Sequence, residues 1–172
     1  MTEYYLDASA LVKRYADEPG STWVRQITDP SAPHTIFLAE ITLAEVAAAL
    51  AAKQRAPGGI TLEQRARILS RFLQDCAEHF CLLPVDRLVI DSAVELTQRH
   101  RLRGYDAVQL ATAVVTRETL QRQQLPSPVF VAADSNLLIA AVAEQLPVAN
   151  PIEHMALDTL ALSPEPYPER DD

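Results

Sequence analysis

Cysteine is scarce in this chain of 172 residues: Cys76 and Cys81 are the only two. They flank His79 in CAEHFC, but a structural zinc site takes four ligands, so the expectation is a buried, reduced pair. Basic charge is also short. Fifteen Lys and Arg stand against 23 Asp and Glu, for a net charge of -8. That balance argues against nonspecific nucleic-acid binding by bulk electrostatics, while leaving room for a local basic patch. No uninterrupted apolar run approaches the roughly 20 residues of a membrane-spanning helix. The opening MTEYYLDASAL lacks the basic start and apolar stretch of a signal peptide and reads as a strand running into a helix. A cytoplasmic protein without membrane contact is expected.

The composition, 48% hydrophobic and 22% charged, suits one domain with a sizeable core. Neither an internal repeat nor a dividing linker is visible. The C-terminal LSPEPYPERDD is Pro-rich and acidic, with too little hydrophobicity to pack. The expected organisation is therefore a domain over 1–157 and a disordered tail over 158–172.

Short apolar runs, YYL, TIFL, FCLLPV and VFVAA, alternate with longer segments of helical period, the pattern of an α/β protein. Near-continuous apolar runs suit strands buried on both faces, hence a mostly parallel sheet with helices on either side. In TLEQRARILSRFLQDCAEHF, the residues Leu62, Ala66, Leu69, Leu73, Cys76 and Phe80 predict one buried stripe. Thr61 is a candidate N-cap, and Pro57 to Gly59 breaks this helix from the one before it. PVAN reads as a last strand.

Four carboxylates stand where apolar segments meet or begin: Asp7, Glu45, Asp106 and Asp134. An ionised carboxylate near apolar surroundings is costly unless hydrogen bonds or a cation offset its lost hydration. Asp7 and Asp134 follow strands and precede helices, so each serves equally as an N-cap. They also lie at the carboxyl edge of the sheet, where α/β ligand crevices form. Asp106 and Gln109 have capping-box spacing. Glu45 falls opposite the stripe Leu43, Val46, Ala47, Leu50 and Ala51, with Ala48, Ala49 and Ala52 beside it, small residues that admit a close neighbour or simply favour the helix. Clustered carboxylates raise one another's pKa, so a cluster ionised at neutral pH implies a cation. Mg²⁺, or Mn²⁺ in its place, suits such hard oxygen donors, and no His or Cys set favours zinc.

These segments, in this order, resemble the PIN-domain family and, within it, the VapC-like toxin ribonucleases of toxin-antitoxin pairs. YYLDASALVKRYADEPGS is similar to the family's opening strand and helix, LAEVAAAL to its second motif, RGYDAVQLATA to its third and VFVAADSNLL to its fourth. The resemblance implies a three-layer PIN-like fold and an acidic catalytic site of Asp7, Glu45, Asp106 and Asp134. Asp7 and Asp106 would be the foremost Mg²⁺ ligands, with Ser9 in support. It implies an RNA substrate, a VapB-like antitoxin and a homodimer. Arg101, Arg103 and Lys13 are candidate contacts to RNA phosphates, though basic residues equally suit helix ends. One departure stands out: Ala132 occupies a position where many members carry a hydroxyl. Two other readings compete. One is a phosphatase or phosphotransferase with Asp7 as nucleophile, although Ser9 stands where that chemistry expects a second Asp. The other is a catalytically silent PIN-like interaction module.

Overall fold

Along the first strand, consecutive side chains serve opposite faces of the sheet, as the period of two in an extended chain requires. In β1 (Thr2–Leu6), Tyr5 packs into one core and Leu6 into another, and both are fully buried. β2 (His34–Ala39) divides in the same way, with Phe37 and Ala39 on one side and Ile36 and Leu38 on the other. A strand that buries both faces has no polar side to show, which is why these runs are continuously apolar.

The structure, a computed structural model, describes residues 1–161. Between the first two strands lie α1 (Ala8–Tyr15) and α2 (Ser21–Ile27). After β2 come α3 (Ile41–Arg55), α4 (Leu62–Glu78) and β3 (Cys81–Leu83), then α5 (Arg87–Arg99), α6 (Gly104–Arg122) and β4 (Val129–Val131). α7 (Ser135–Ala143) leads to β5 (Val148–Ala149), a 3₁₀ turn at Pro151–His154 and α8 (Ala156–Ala161). All four strand pairings are parallel, in the order β3-β2-β1-β4-β5. Helices α5, α6 and α7 fill one face of the sheet and α1 to α4 the other, giving the expected three-layer α/β fold. The chain steps from β1 through β2 to β3 in one direction and then crosses from β3 back past β1 to β4, so the crevice between the ends of β1 and β4 is the topological switch point.

Several local expectations are corrected. In α4 the buried side chains are Phe72, Asp75 and Cys76, while Leu62 and Leu73 are exposed. The stripe is rotated because Asp75 turns inward to Arg14 (3.0 Å), Tyr15 (2.8 Å) and Arg71 (2.9 Å), and buried charge is tolerated where it is so matched. The cysteines are both free, but only Cys76 is buried; Cys81 lies exposed on edge strand β3. Thr61 caps α4 as expected, with Gln64 completing a capping box.

The chain does not stop at its last strand. Gly20 opens α2 at φ +88, and the Asp158 carboxylate accepts from the N–H groups of Gly20 (2.6 Å) and Thr22 (2.8 Å). Those orphan donors at the start of α2 are thereby satisfied from α8. The expected tail, 158–172, thus begins inside a helix, and its residues from 162 onward lie outside the described residues. Trp23 stacks on His154 at 4.2 Å between ring centroids, half-buried at the same junction. Among the described residues no helix is long and apolar enough to cross a membrane.

Candidate active site

Asp7 is the first residue beyond β1 and the N-cap of α1. Its backbone N–H donates to Val131 O (3.1 Å), which ties the end of β1 to the end of β4. Its Oδ1 accepts from Ala10 N–H (3.1 Å) and from the Ser9 hydroxyl (2.8 Å). The Ser9 Oγ in turn accepts from Ala133 N–H (2.9 Å), so this one hydroxyl joins Asp7 to the β4–α7 connection. Ala132 is fully buried, and Ser9 is the hydroxyl that serves this junction. Asp7 is 7% exposed. Burial pushes its carboxyl up from 3.8 to about 7, against the bonds from Ser9 and Ala10, and the negative charge of Glu45 adds to the rise.

Glu45 approaches from α3 and is half-buried. Gln109 of α6 donates from Nε2 to Glu45 Oε2 (2.5 Å) and to Thr42 Oγ1 (2.9 Å), while its Oε1 accepts from the Tyr5 hydroxyl (2.8 Å). A buried amide with donors and acceptor all used orients its neighbours strongly, because any misplacement leaves a polar group unpaired. Burial raises the Glu45 carboxyl, Gln109 opposes that, and the charge of Asp106 adds to it.

Gln109 departs from the role its spacing suggests. It does not cap α6; Arg103 holds the N-cap position, and Asp106 accepts from the Arg103 N–H (3.3 Å). The signal that marks it is its phase: Gln109 lies among Ala107, Val108, Leu110 and Ala111, all buried, where an amide needs partners. Asp134 does cap its helix, accepting from Asn136 N–H (2.8 Å) and Leu137 N–H (3.2 Å). Asp106 and Asp134 line one polar cavity of about 610 Å³ with Arg101, Arg103 and Asn136. Lys13 does not belong to this arrangement. It is buried and held by Glu18 at 2.9 Å, and Lys53 binds the same carboxylate.

Three of the four acids are thus linked by charge, Asp7 to Glu45 and Glu45 to Asp106, and Asp106 shares one cavity with Asp134. No Lys, Arg or His forms an ion pair with any of them among the described residues. Nor do three His, Cys, Asp or Glu side chains close into a ready ligand group among those residues. The donor chemistry fits Mg²⁺, which takes only one or two carboxylates directly and retains several waters. It fits zinc poorly, since zinc favours a compact set of nitrogen and sulfur ligands.

Asp7 and Asp134 follow the two strands that flank the switch point, and neither has a basic partner among the described residues, which gives the strand ends an acidic crevice. The chain matches the PIN domain over residues 4–143, and it belongs to the PIN-domain family. The VapBC2 structure from Rickettsia felis, bound to a promoter DNA fragment, is similar in fold at 15% identity, covering 87% of this chain and 98% of that one with a TM-score of 0.58. FitAcB from Neisseria gonorrhoeae is similar at 18% identity, with coverage of 86% and 97% and a TM-score of 0.56. VapC20 from Mycobacterium tuberculosis, a toxin that cleaves the sarcin-ricin loop, is similar at 15% identity, with coverage of 80% and 94% and a TM-score of 0.55. No curated protein matches the sequence.

Proposed function

We propose that this protein is a metal-dependent endoribonuclease, the toxin of a toxin-antitoxin pair, acting in the cytoplasm. The observation that carries the reading is the set of four carboxylates at the switch point of a PIN domain, none of them neutralised by a basic side chain among the described residues. Asp7 and Asp106 would hold Mg²⁺, with Mn²⁺ as substitute, and Glu45 and Asp134 would complete the catalytic site. When bound, the cation supplies charge neutralisation and Lewis acidity toward a phosphodiester.

The chain's own residues do the rest. Ser9 and Ala10 fix the Asp7 carboxylate from one side, and Gln109 fixes Glu45 from the other. Asp134, tied to the start of α7, stands across the cavity as a candidate to orient a water for in-line attack. Arg101 and Arg103, lining that cavity, offer the positive charge that an acidic site needs before a phosphate can enter. Such hydrolysis requires no covalent nucleophile and leaves a 5′-phosphate.

A toxin reading carries two partners: a VapB-like antitoxin that masks the crevice, and a second copy of this chain. The likeness in fold to the VapBC2 and FitAcB structures supports it.

The test is cleavage of RNA by purified protein in Mg²⁺, in Mn²⁺ and in chelator, beside Asp7→Asn and Asp106→Asn. Metal-dependent cutting that both substitutions abolish is expected. Cutting that persists in both variants removes the acids from the chemistry. Phosphate release from small phosphoesters without RNA cleavage would favour an Asp7 nucleophile, and inactivity on both substrates would favour a silent interaction module.

A further inference from the structure

The basic run from Arg99 to Arg103 splits between two tasks. Arg101 and Arg103 line the cavity that contains Asp106 and Asp134. Arg99 and His100 instead reach Glu144, the C-cap of α7. His100 Nε2 lies 2.6 Å from Glu144 Oε1, and Arg99 Nη1 lies 3.0 Å from Oε1 and 3.2 Å from Oε2. Glu144 is itself anchored, since Arg117 of α6 donates to its backbone carbonyl and its N–H bonds Ala140 O (3.0 Å). The His100 and Glu144 side chains are 17% and 13% exposed, so solvent and salt screen this contact far less than a surface pair.

Beyond His100 the chain turns tightly, with Leu102 N–H bonded to His100 O (2.9 Å) and the Leu102 side chain packed on the core. Arg103 N–H then bonds Asp106 (3.3 Å). The short segment carrying Arg101 and Arg103 is therefore fastened at one end by Glu144 and at the other by an acid of the site. Two long cationic side chains on a fixed backbone lose less freedom on meeting a phosphate than the same residues on a loose loop.

We propose that Glu144 is a positioning residue for phosphate binding: by clamping Arg99 and His100, it holds Arg101 and Arg103 at the cavity where the nucleic-acid backbone enters. This rests on the nuclease reading above. The proposal runs against simple electrostatics, which makes it sharp. Removing the Glu144 charge leaves the neighbourhood more positive, so a purely long-range effect would tighten RNA binding, whereas loss of the clamp weakens it.

The experiment uses the full chain with Glu144→Gln, which keeps shape and loses charge, and His100→Gln, which opens the clamp from the other side. Steady-state cleavage of a single-stranded RNA oligonucleotide in Mg²⁺ should show KM raised about fivefold with kcat within about twofold. That increase should vanish when the same changes are made in an Arg101→Ala, Arg103→Ala background, because contacts acting through one another are not additive. Amide hydrogen exchange over residues 99–103 should quicken in both variants. An unchanged or lowered KM, an equal increase in the arginine-free background, or unchanged exchange would each overturn the clamp. Should the wild-type protein leave RNA uncut, the nuclease reading fails, and the exchange measurement still decides whether Glu144 fastens the segment.

Discussion

Asp7→Asn separates the cost of the acidic site from its chemistry. Burial raises the Asp7 carboxyl from 3.8 to about 7, so the metal-free fold favours the protonated form. A group raised in this way contributes its full stability below about pH 4, where folded and unfolded chains both carry the proton, and loses it as pH rises through about 7. At 1.36 kcal/mol for each pH unit, a displacement of about three units caps the loss at about 4 kcal/mol. Roughly 2.5 kcal/mol of that falls between pH 5 and pH 8. Asn cannot ionise, yet it keeps an oxygen to accept from Ser9 and Ala10. Urea unfolding in chelator should therefore show the variant gaining about 2 to 3 kcal/mol on the wild type between pH 5 and pH 8. Contributions from titrating groups that do not sense the Asp7 charge cancel in this difference. Millimolar Mg²⁺ at pH 8 should stabilise the wild type more than the variant, because the Asp7 carboxylate is one of the ligands the variant lacks. A stability difference that stays constant from pH 5 to pH 8 would refute the burial argument.

Four further outcomes follow from particular contacts. Ser9→Ala removes both the bond to Asp7 and the acceptor for Ala133 N–H, and should cost about 1 to 2 kcal/mol in thermal unfolding together with about tenfold in kcat/KM on RNA. Gln109→Leu removes the acceptor of the buried Tyr5 hydroxyl and the donor to buried Thr42, and a loss of about 2 to 4 kcal/mol is expected by denaturant titration. Gly20→Ala should lower stability by about 3 kcal/mol or more, since φ is +88 and an added Cβ would collide with the Pro151 carbonyl; an unchanged melting temperature would contradict the close packing of the 3₁₀ turn on α2. Asp75→Ala leaves Arg14 largely buried without its carboxylate, and should cost about 3 to 5 kcal/mol in the same titration.

Those parts of the site that a short segment encodes are legible in the amino-acid order. Asp7 and Asp134 each follow an apolar run and precede a helix, so their place at strand ends depends on local pattern alone. Glu45 interrupts no apolar stripe, and its helical phase sets it apart from the core side of α3. Lys13 and Gln109 escape such a reading for one shared reason. Each is polar within a helix whose neighbours are buried, and whether such a residue faces water or a partner depends on another element: Glu18 for Lys13, and Tyr5, Thr42 and Glu45 for Gln109. The α4 stripe departs from its period likewise, because Asp75 is drawn inward by arginines and a tyrosine that periodicity does not register.

Hydrophobic alternation, the doubly buried strands and the four acids with their order belong to the sequence itself, because they rest on side-chain period and on chemistry within a few residues. Convergence belongs to the tertiary structure. Sheet order β3-β2-β1-β4-β5 brings Asp7 and Asp134, 127 positions apart, to adjacent strand ends, and from the opposite face of the sheet α6 reaches Thr42 and Glu45 of α3 through Gln109. The approach of the end of α7 to the end of α5 divides one basic run between a partly buried glutamate and an acidic cavity. Those distances are set by contacts between residues remote in the chain, so the fold alone decides them.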